Sequence, residues 1–408
     1  MTIRLIHGDC LDVLPQLRER GERFEACITD PPYHLTSITK RFGRPGAAPA
    51  QSGTDGVFQR QTAGFMGREW DGGDIAFRAE TWSAVRGVLR PGAYLAAFGS
   101  TRGVHRMACA IEDAGFEIVT TLMWVFGSGK PVSHNAEKAI DRHLGQKRSV
   151  LPAGAPVKRF KTGSMSNSSG NWSKQDDQFY QPHNYVGASK ESRRWQGYGT
   201  GLKPAYEPII LARVPWDGTL ANNLLTHGVG ALNIDACRVY PEDYDGTQEG
   251  RWPANLLHDG SDEVIAAFPD APGQSALVRY DGTPIQGNVY GKMARTGTSC
   301  TPRGDSGSAA RFFYCAKAGK EDRCGSGHPT VKPHALMQWL VRLIVPPDGR
   351  VIDPFCGTGS TGVAADALGH DVVLIEREDD YIGDAERKLQ AAAPLFTNVK
   401  IERGGIDE

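Results

Sequence analysis

Short apolar runs alternate with amphipathic stretches at both ends of the chain, and the middle lacks that rhythm. Residues 3–6 and 24–29 read as strands on either side of a helix-like stretch over 10–20. The second run ends directly on Asp30-Pro31-Pro32-Tyr33. Residues 79–89 carry a helical period, Arg90-Pro91-Gly92 reads as a turn, and 93–98 is a buried strand. A helix over 104–114 stops at Gly115, and 116–125 is a further strand. Towards the other end, helices are predicted over 334–344, 362–368 and 381–392, with strands over 350–352 and 371–375. Strands alternating with helices predict an α/β, doubly wound, mostly parallel sheet covered on both faces.

The middle reads differently. Residues 34–64 are rich in Gly, Pro, Ser and Thr, as in a loop. Residues 147–201 are polar, which predicts a flexible or irregular insert. Residues 208–214 are strand-like again, and 217–309 are turn-rich without a sustained helical period. The expected organisation is therefore five segments. Residues 1–146 and 312–408 form the two halves of one sheet domain, with 147–200 a polar, basic insert. Residues 201–216 bring a strand back to the sheet, and 217–311 form a separate region. No internal repeat is visible.

Composition narrows the class. The 408 residues carry 46 Lys and Arg against 47 Asp and Glu, a net charge of −1. Bulk charge therefore does not announce a nucleic-acid partner, and contacts to phosphate must come from local basic patches. Lys147, Arg148, Lys158, Arg159, Lys161, Lys174, Lys190, Arg193 and Arg194 gather in the insert, interleaved with Trp172, Tyr180, Tyr185 and Trp195. Such residues can bind phosphates and stack on bases, or form a solvated loop. No run approaches the roughly 20 apolar residues of a membrane span, and the start of the chain reads as a strand, not a signal peptide. Eight cysteines without paired spacing fit reduced thiols in a cytoplasm. Cys315, Cys324 and His328 lack the four ligands of a zinc site, so no metal is expected.

Two motifs carry chemistry. The first is Val351-Ile352-Asp353-Pro354-Phe355-Cys356-Gly357-Thr358-Gly359-Ser360-Thr361-Gly362, a strand, a glycine-rich turn and a helix start. Glycines let backbone approach a ligand closely, and a helix N-terminus offers unpaired N–H groups. About 20 residues on, a second strand ends at Glu376, from where a carboxylate can grip a ribose hydroxyl pair. A tight structural turn is the plain alternative. The strand context and Glu376 favour a nucleoside cofactor. S-adenosylmethionine fits, since it needs only a close turn for its methionine part and an acid for its ribose.

The second motif is Asp30-Pro31-Pro32-Tyr33. An exocyclic amine on adenine or cytosine is a poor nucleophile, because its lone pair is delocalised into the ring. Asp30 supplies one acceptor for its N–H groups, and the Pro31 carbonyl can supply another. Pro31 and Pro32 fix φ and remove donors, so those carbonyls are held rigidly. The Tyr33 ring can stack on a base taken out of a duplex. A proline-stiffened turn after a strand is the alternative, and it weakens once the two motifs are read together.

These residues resemble the amino-methyltransferase family of DNA modification enzymes, whose tetrad reads (D/N/S)-P-P-(Y/F/W) and whose cofactor turn is similar to residues 355–359. The tetrad comes first here and the cofactor motif last, an order that resembles the circularly permuted beta group. That group also carries a motif like His328-Pro329-Thr330-Val331-Lys332-Pro333. Leu202-Lys203-Pro204-Ala205-Tyr206-Glu207-Pro208 and Phe65-Met66-Gly67-Arg68-Glu69-Trp70-Asp71 look like segments of phage and prophage DNA methylases. The resemblance implies a Rossmann-like methyltransferase fold and S-adenosylmethionine as cofactor. It implies a methyl group transferred to N6 of a flipped adenine, with N4 of cytosine as the alternative. Asp30 favours adenine, because cytosine enzymes of the group usually carry Ser at that place. It further implies Asp30, Pro31, Pro32 and Tyr33 as catalytic. The cofactor residues would be Asp9, Cys10, His328, Thr330, Lys332, Asp353, Phe355, Gly357, Gly359 and Glu376, with Asp9 and Cys10 near the adenine. Thr330 and Lys332 would lie near the methionine end. The partner would be double-stranded DNA, with residues 217–311 in the place of the target-recognition region and a homodimer left open. The work would be done in the cytoplasm of a bacterial or phage-infected cell. Protein glutamine methylases carry Asn in the tetrad and keep the unpermuted order, and a degenerate DNA-binding relative would have lost one of the motifs.

Overall fold

Among the described residues, ten strands form one sheet, and its central strands are apolar on both faces. The computed structural model describes residues 1–33, 74–129, 133–146, 149–152, 157–158, 179–180, 183–240, 249–273, 278–279, 299–300, 305–316, 322, 331–392 and 398–403. The loop expected over 34–64, the segment 65–71, and Cys324, His328 and Thr330 lie outside them, as does most of the basic insert. The described residues form two compact units, Met1–Gly127 with Tyr206–Glu408, and Ser128–Ala205.

The first half of the larger unit follows the predicted alternation: β1 (Thr2–His7), α1 (Cys10–Glu19), β2 (Phe24–Thr29), α2 (Ala79–Val88), β3 (Leu89–Phe98), α3 (Val104–Asp113) and β4 (Glu117–Val125). The smaller unit holds α4 (Ala136–His143), β5 (Ser149–Pro152), β6 (Val157–Lys158), β7 (Phe179–Tyr180), β8 (His183–Val186) and α5 (Lys190–Arg193). There β5 pairs with β8 and β6 with β7, both antiparallel. Asp141 of α4 accepts hydrogen bonds from the Ala188 and Ser189 N–H groups. The expected insert is therefore partly regular. Lys190, Arg193, Arg194 and Trp195 are exposed there.

The chain then returns through β9 (Tyr206–Arg213), α6 (Leu220–His227), β10 (Leu256–His258), α7 (Asp262–Ala267), β11 (Val278–Arg279), β12 (Ser299–Cys300) and β13 (Tyr314–Cys315). It ends through α8 (His334–Ile344), β14 (Val351–Asp353), α9 (Ser360–Ala367), β15 (Val372–Glu376), α10 (Asp379–Ala392) and β16 (Asn398–Arg403). One ten-stranded sheet runs in the order β13-β10-β4-β9-β3-β2-β14-β15-β1-β16. Within that sheet, among the described residues, only β9 runs against its neighbours, pairing antiparallel with β3 and β4. β9 is thus the strand that residues 201–216 bring back to the sheet, and parallel pairing sets β2 beside β14.

Period-2 alternation sorts side chains to the two faces. Ala26 and Ile28 of β2, with Ala96 and Phe98 of β3, pack with Leu336, Leu340 and Leu343 of α8 and with residues of α9 and α10. Cys27, Leu95 and Ala97 face the other way, among Val13 and Leu17 of α1, Trp82 and Val85 of α2, and Met107 of α3. β15 is buried at all five positions, as a central parallel strand requires.

Three readings need correction. Arg90-Pro91-Gly92 is not a turn between elements: it lies inside β3, where Leu89 faces Phe24 but Tyr94 already faces Ala26, a bulge. Gly92 makes the bulge possible with φ +83°. The buried Asn223 side chain fastens it, donating to the Pro91 carbonyl at 3.0 Å and to that of Val229 at 2.6 Å. The turn-rich stretch over 217–309 contributes β10 to the main sheet and carries two short helices, α6 and α7. At three residues, β10 is too short to leave a periodic signal. β16 was also not expected; it pairs with β1 along six residues.

A Cβ at Gly92 would stand 2.3 Å from Asn223 Nδ2 and 3.0 Å from the Val229 oxygen. Gly92→Ala combines a left-handed φ with overpacking. It should lower unfolding free energy by about 2–4 kcal/mol. Chemical denaturation followed by fluorescence checks this, and an unchanged midpoint would rule out the bulge as a fixed feature.

Candidate active site and cofactor cradle

Parallel strands all end on one edge of a sheet, and that edge is where α/β folds hold ligands. β2 and β14 are neighbours, so Asp30, just past β2, and the glycine turn, just past β14, come out side by side. Together they line a cavity of about 450 Å³. Asp9, Cys10, Asp30, Pro31, Pro32, Tyr33, Lys332, Asp353, Phe355, Gly357 and Glu376 all line it. Gly359 is not among the lining residues. It takes φ +77° at the start of α9, where a Cβ would meet Leu389 and Ala385 at 3.4–3.5 Å. His328 and Thr330 lie outside the described residues.

The cradle is held by buried carboxylates. Asp353 accepts from the Thr29 and Thr361 hydroxyls, both at 2.6 Å, and from the Phe355 N–H at 3.0 Å. Burial pushes its carboxyl up to about 6, against those donors. Its oxygens thus tie β2, the glycine turn and α9 together. Glu376 accepts from the Gly357 N–H at 2.9 Å, and from those of Arg377 at 3.0 Å and Glu378 at 2.9 Å. Burial lifts it to about 7. Glu376 therefore fixes the glycine turn from the neighbouring strand end as well as lining the cavity. Gly357 takes a left-handed φ of 53°. Gly357, Gly359 and Gly362 also keep the spacing of a dinucleotide fingerprint, so glycine spacing does not choose between nucleotides. Gly362 serves packing, since a Cβ there would reach Leu374 at 2.6 Å and Leu389 at 2.8 Å. Across the cavity, Asp9 caps α1 by accepting the Leu11 N–H at 2.9 Å.

The tetrad sits in a charged cluster that the sequence did not disclose. Lys332 Nζ lies 2.7 Å from Asp30 Oδ2 and 3.1 Å from Glu207 Oε1. The Tyr33 hydroxyl lies 2.8 Å from Asp30 Oδ1, close against Glu207 Oε1, and 3.2 Å from Lys332 Nζ. Lys332 also stands 4.8 Å from the Phe98 ring centre. Burial alone would lower the Lys332 ammonium, but Asp30 and Glu207 outweigh it and hold it above its ordinary range. Burial, with Asp30 as a like charge, raises Glu207 despite Lys332. Burial and the two carboxylates keep the Tyr33 phenol protonated. Lys332, expected near the methionine end of the cofactor, lines the cavity and pairs with the tetrad. Glu207, within the Leu202–Pro208 segment, belongs to neither chemical motif. Its signal is a charged residue at the mouth of an apolar strand, in Tyr206-Glu207-Pro208-Ile209-Ile210.

Nucleophilic groups are muted. Burial and Asp9 push the Cys10 thiol up to about 12, and burial raises Cys27 and Cys356 well above the ordinary thiol range. Among the described residues no three His, Cys, Asp or Glu side chains could hold a metal ion.

A known family matches most of this chain, and individual relatives match shorter parts. Residues 24–387 match the N6/N4 methyltransferase family, described as DNA methylase. The type II methyltransferase M.HinfI of Haemophilus influenzae is 40% identical over 82 residues, 20% of this chain and 23% of that protein. The type II methyltransferase M2.LlaDCHI of Lactococcus lactis subsp. cremoris is 31% identical over 74 residues, 18% of this chain and 28% of that protein. The matched segments thus span about a quarter of each curated relative. Among solved structures, the M1.HpyAVI–SAM complex aligns over 95% of this chain and 98% of its own, at 14% identity and TM-score 0.40. The cytosine-N4-specific PvuII DNA methyltransferase aligns over 95% and 86%, at 12% identity and TM-score 0.41. With its family match spanning tetrad, sheet and glycine turn, the chain belongs to the DNA methylase family of N6/N4 methyltransferases.

Proposed function

We propose that this chain transfers a methyl group from S-adenosylmethionine to the N6 amine of an adenine flipped out of double-stranded DNA. The observation that carries the reading is the single cavity shared by the Asp30 tetrad and the Gly357 turn. The residues present suit this cofactor. The glycine turn allows close backbone approach, Glu376 offers a carboxylate at a strand end, and Cys10 and Leu11 add a less polar wall. When bound, S-adenosylmethionine supplies an electrophilic methyl group on a sulfonium.

The chain's own part is to prepare the amine. Asp30 accepts one N–H, the Pro31 carbonyl accepts the other, and the lone pair is drawn out of conjugation toward the methyl carbon. Preorganised acceptors of this kind stabilise the charge that develops on nitrogen. The Tyr33 ring lies where a base can stack. With its buried cysteines held as thiols, the site suits direct transfer and not a covalent enzyme–base adduct. Asp30 at the head of the tetrad favours adenine over cytosine N4. Reading of the DNA sequence falls to residues 217–311, where Trp252 is 65% exposed and Arg238 lies 5.3 Å over its ring. Exposed Lys190, Arg193 and Arg194 of the insert suit phosphate contacts. No helix among the described residues is long and apolar enough to cross a membrane, and a DNA substrate implies work in the cytoplasm.

Two measurements test this. The Glu376 carboxyl, lifted to about 7, is partly protonated at neutral pH. Ribose hydroxyls donate best to the ionised form. Cofactor affinity should therefore rise as pH increases through about 7 and level off above it. Glu376→Gln should weaken binding by about 1.5–3 kcal/mol and flatten that dependence. Titration calorimetry reads both, and an affinity equal to wild type at all pH values would remove Glu376 from the site. Asp30→Ala should keep cofactor binding and slow single-turnover transfer of labelled methyl to duplex DNA by about 10²–10³-fold. Near-normal transfer would overturn the tetrad assignment. Label recovered at cytosine N4 would leave the chemistry standing and change the base.

A further inference from the structure

We propose that Glu207 is a positioning residue of the methyl-transfer site, holding Lys332 and the Tyr33 hydroxyl so that Asp30 stays available to the amine. The inference rests on the proposed function and extends it to a residue outside the tetrad and the glycine turn.

Three segments distant in sequence supply the cluster: Asp30 and Tyr33 after β2, Glu207 at the start of β9, and Lys332 before α8. Glu207 does not line the cavity, whereas Asp30, Tyr33 and Lys332 do. It is therefore placed to act through them and not on substrate. Its side chain keeps 14% exposure and that of Lys332 only 6%. A second acid largely removed from water beside the first is costly unless it is paired and hydrogen-bonded. For stability alone, Lys332 and Asp30 would already form a neutral pair, and an apolar residue at 207 would serve better.

The chemistry of Asp30 supplies a reason. An acid tied exclusively to one ammonium has little acceptor strength left for an amine. Sharing the ammonium between two carboxylates leaves the cluster with one net negative charge, and Asp30 keeps its capacity to accept. The Tyr33 hydroxyl has a single proton and two acceptors, Asp30 Oδ1 and Glu207 Oε1. When an amine enters, that proton can rest on the Glu207 side and release Oδ1. No bond is made or broken apart from these hydrogen bonds. Anchoring the hydroxyl also fixes the plane of the ring on which the base stacks.

Among the described residues, the charged and titratable groups facing Glu207 are Asp30, Tyr33 and Lys332, and Asp353 on β14 feels Asp30 from the far side. Removing the Glu207 charge leaves Lys332 to Asp30 alone. The acidic limb of the pH–rate profile should then move to lower pH, even as the maximal rate falls.

The test is single-turnover methyl transfer by the full chain on duplex DNA at saturating S-adenosylmethionine, across the acid to neutral range. Glu207→Gln should lower the rate about 10²-fold, the scale of a small misplacement of reacting groups. Its acidic limb should shift to lower pH, with cofactor affinity by calorimetry unchanged. Glu207→Asp should recover part of the rate and the wild-type limb. The losses in Glu207→Gln and Tyr33→Phe should be less than additive, since both remove the same contact. A Glu207→Gln enzyme with wild-type rate and limb would overturn the proposal. A loss of rate with an unmoved limb and a lowered melting temperature would also overturn it, assigning Glu207 to stability. If the wild-type chain methylates neither base, the proposed function falls first and this inference with it.

Discussion

Everything at the site depends on the parallel pairing of β2 with β14. The two strands are separated by more than three hundred residues, yet the Thr29 hydroxyl at the end of one donates to Asp353 at the end of the other at 2.6 Å. Parallel strands share a direction, so the groups that follow them emerge on one edge. A tetrad that opens the chain and a glycine turn that nearly closes it therefore meet in one cavity. The permuted order of motifs costs nothing geometrically, because the sheet fixes where strands end, whatever their order along the chain.

Three acids stand near that edge, Asp353 and Glu376 buried and Asp30 half-buried, and each is treated differently. Asp353 is surrounded by two hydroxyls and one N–H, and it binds elements together. Glu376 accepts three backbone N–H groups, and it shapes a turn. The tetrad acid instead faces an ammonium shared with Glu207. Burial raises both of the first two carboxyls, to about 6 and about 7, and the dipoles that satisfy them offset it only in part. Only the tetrad receives a counter-charge, and it receives one that is divided.

What the sequence discloses follows from range. β15 is legible because four apolar residues in a row, Val372 to Ile375, suit a strand buried on both faces. The tetrad and the glycine turn are legible because each carries its chemistry within a few consecutive residues. Gly92 was misread because a bulge and a turn ask for the same residue, and only the partner strand tells them apart. β10 is too short for a period to show, and β16, Asn-Val-Lys-Ile-Glu-Arg, has charged residues alternating with apolar ones at an edge. The Glu207–Lys332 pairing joins positions 125 residues apart, and no local pattern encodes it.

That last omission has a physical lesson. Motif reading finds groups that touch a ligand, since their types are constrained by its chemistry. It passes over groups that act on those groups, because many side chains could in principle fill such a role and only packing selects one. Glu207 sits on β9, among the described residues the one strand of the main sheet that runs against its neighbours. Running antiparallel, β9 begins on the edge where β2, β3 and β14 end, so its first residues, not its last, face the site. A charged residue at the N-terminal end of a strand would be remote from the chemistry in a purely parallel sheet. Here the reversal of one strand brings it within hydrogen-bonding distance of the tetrad.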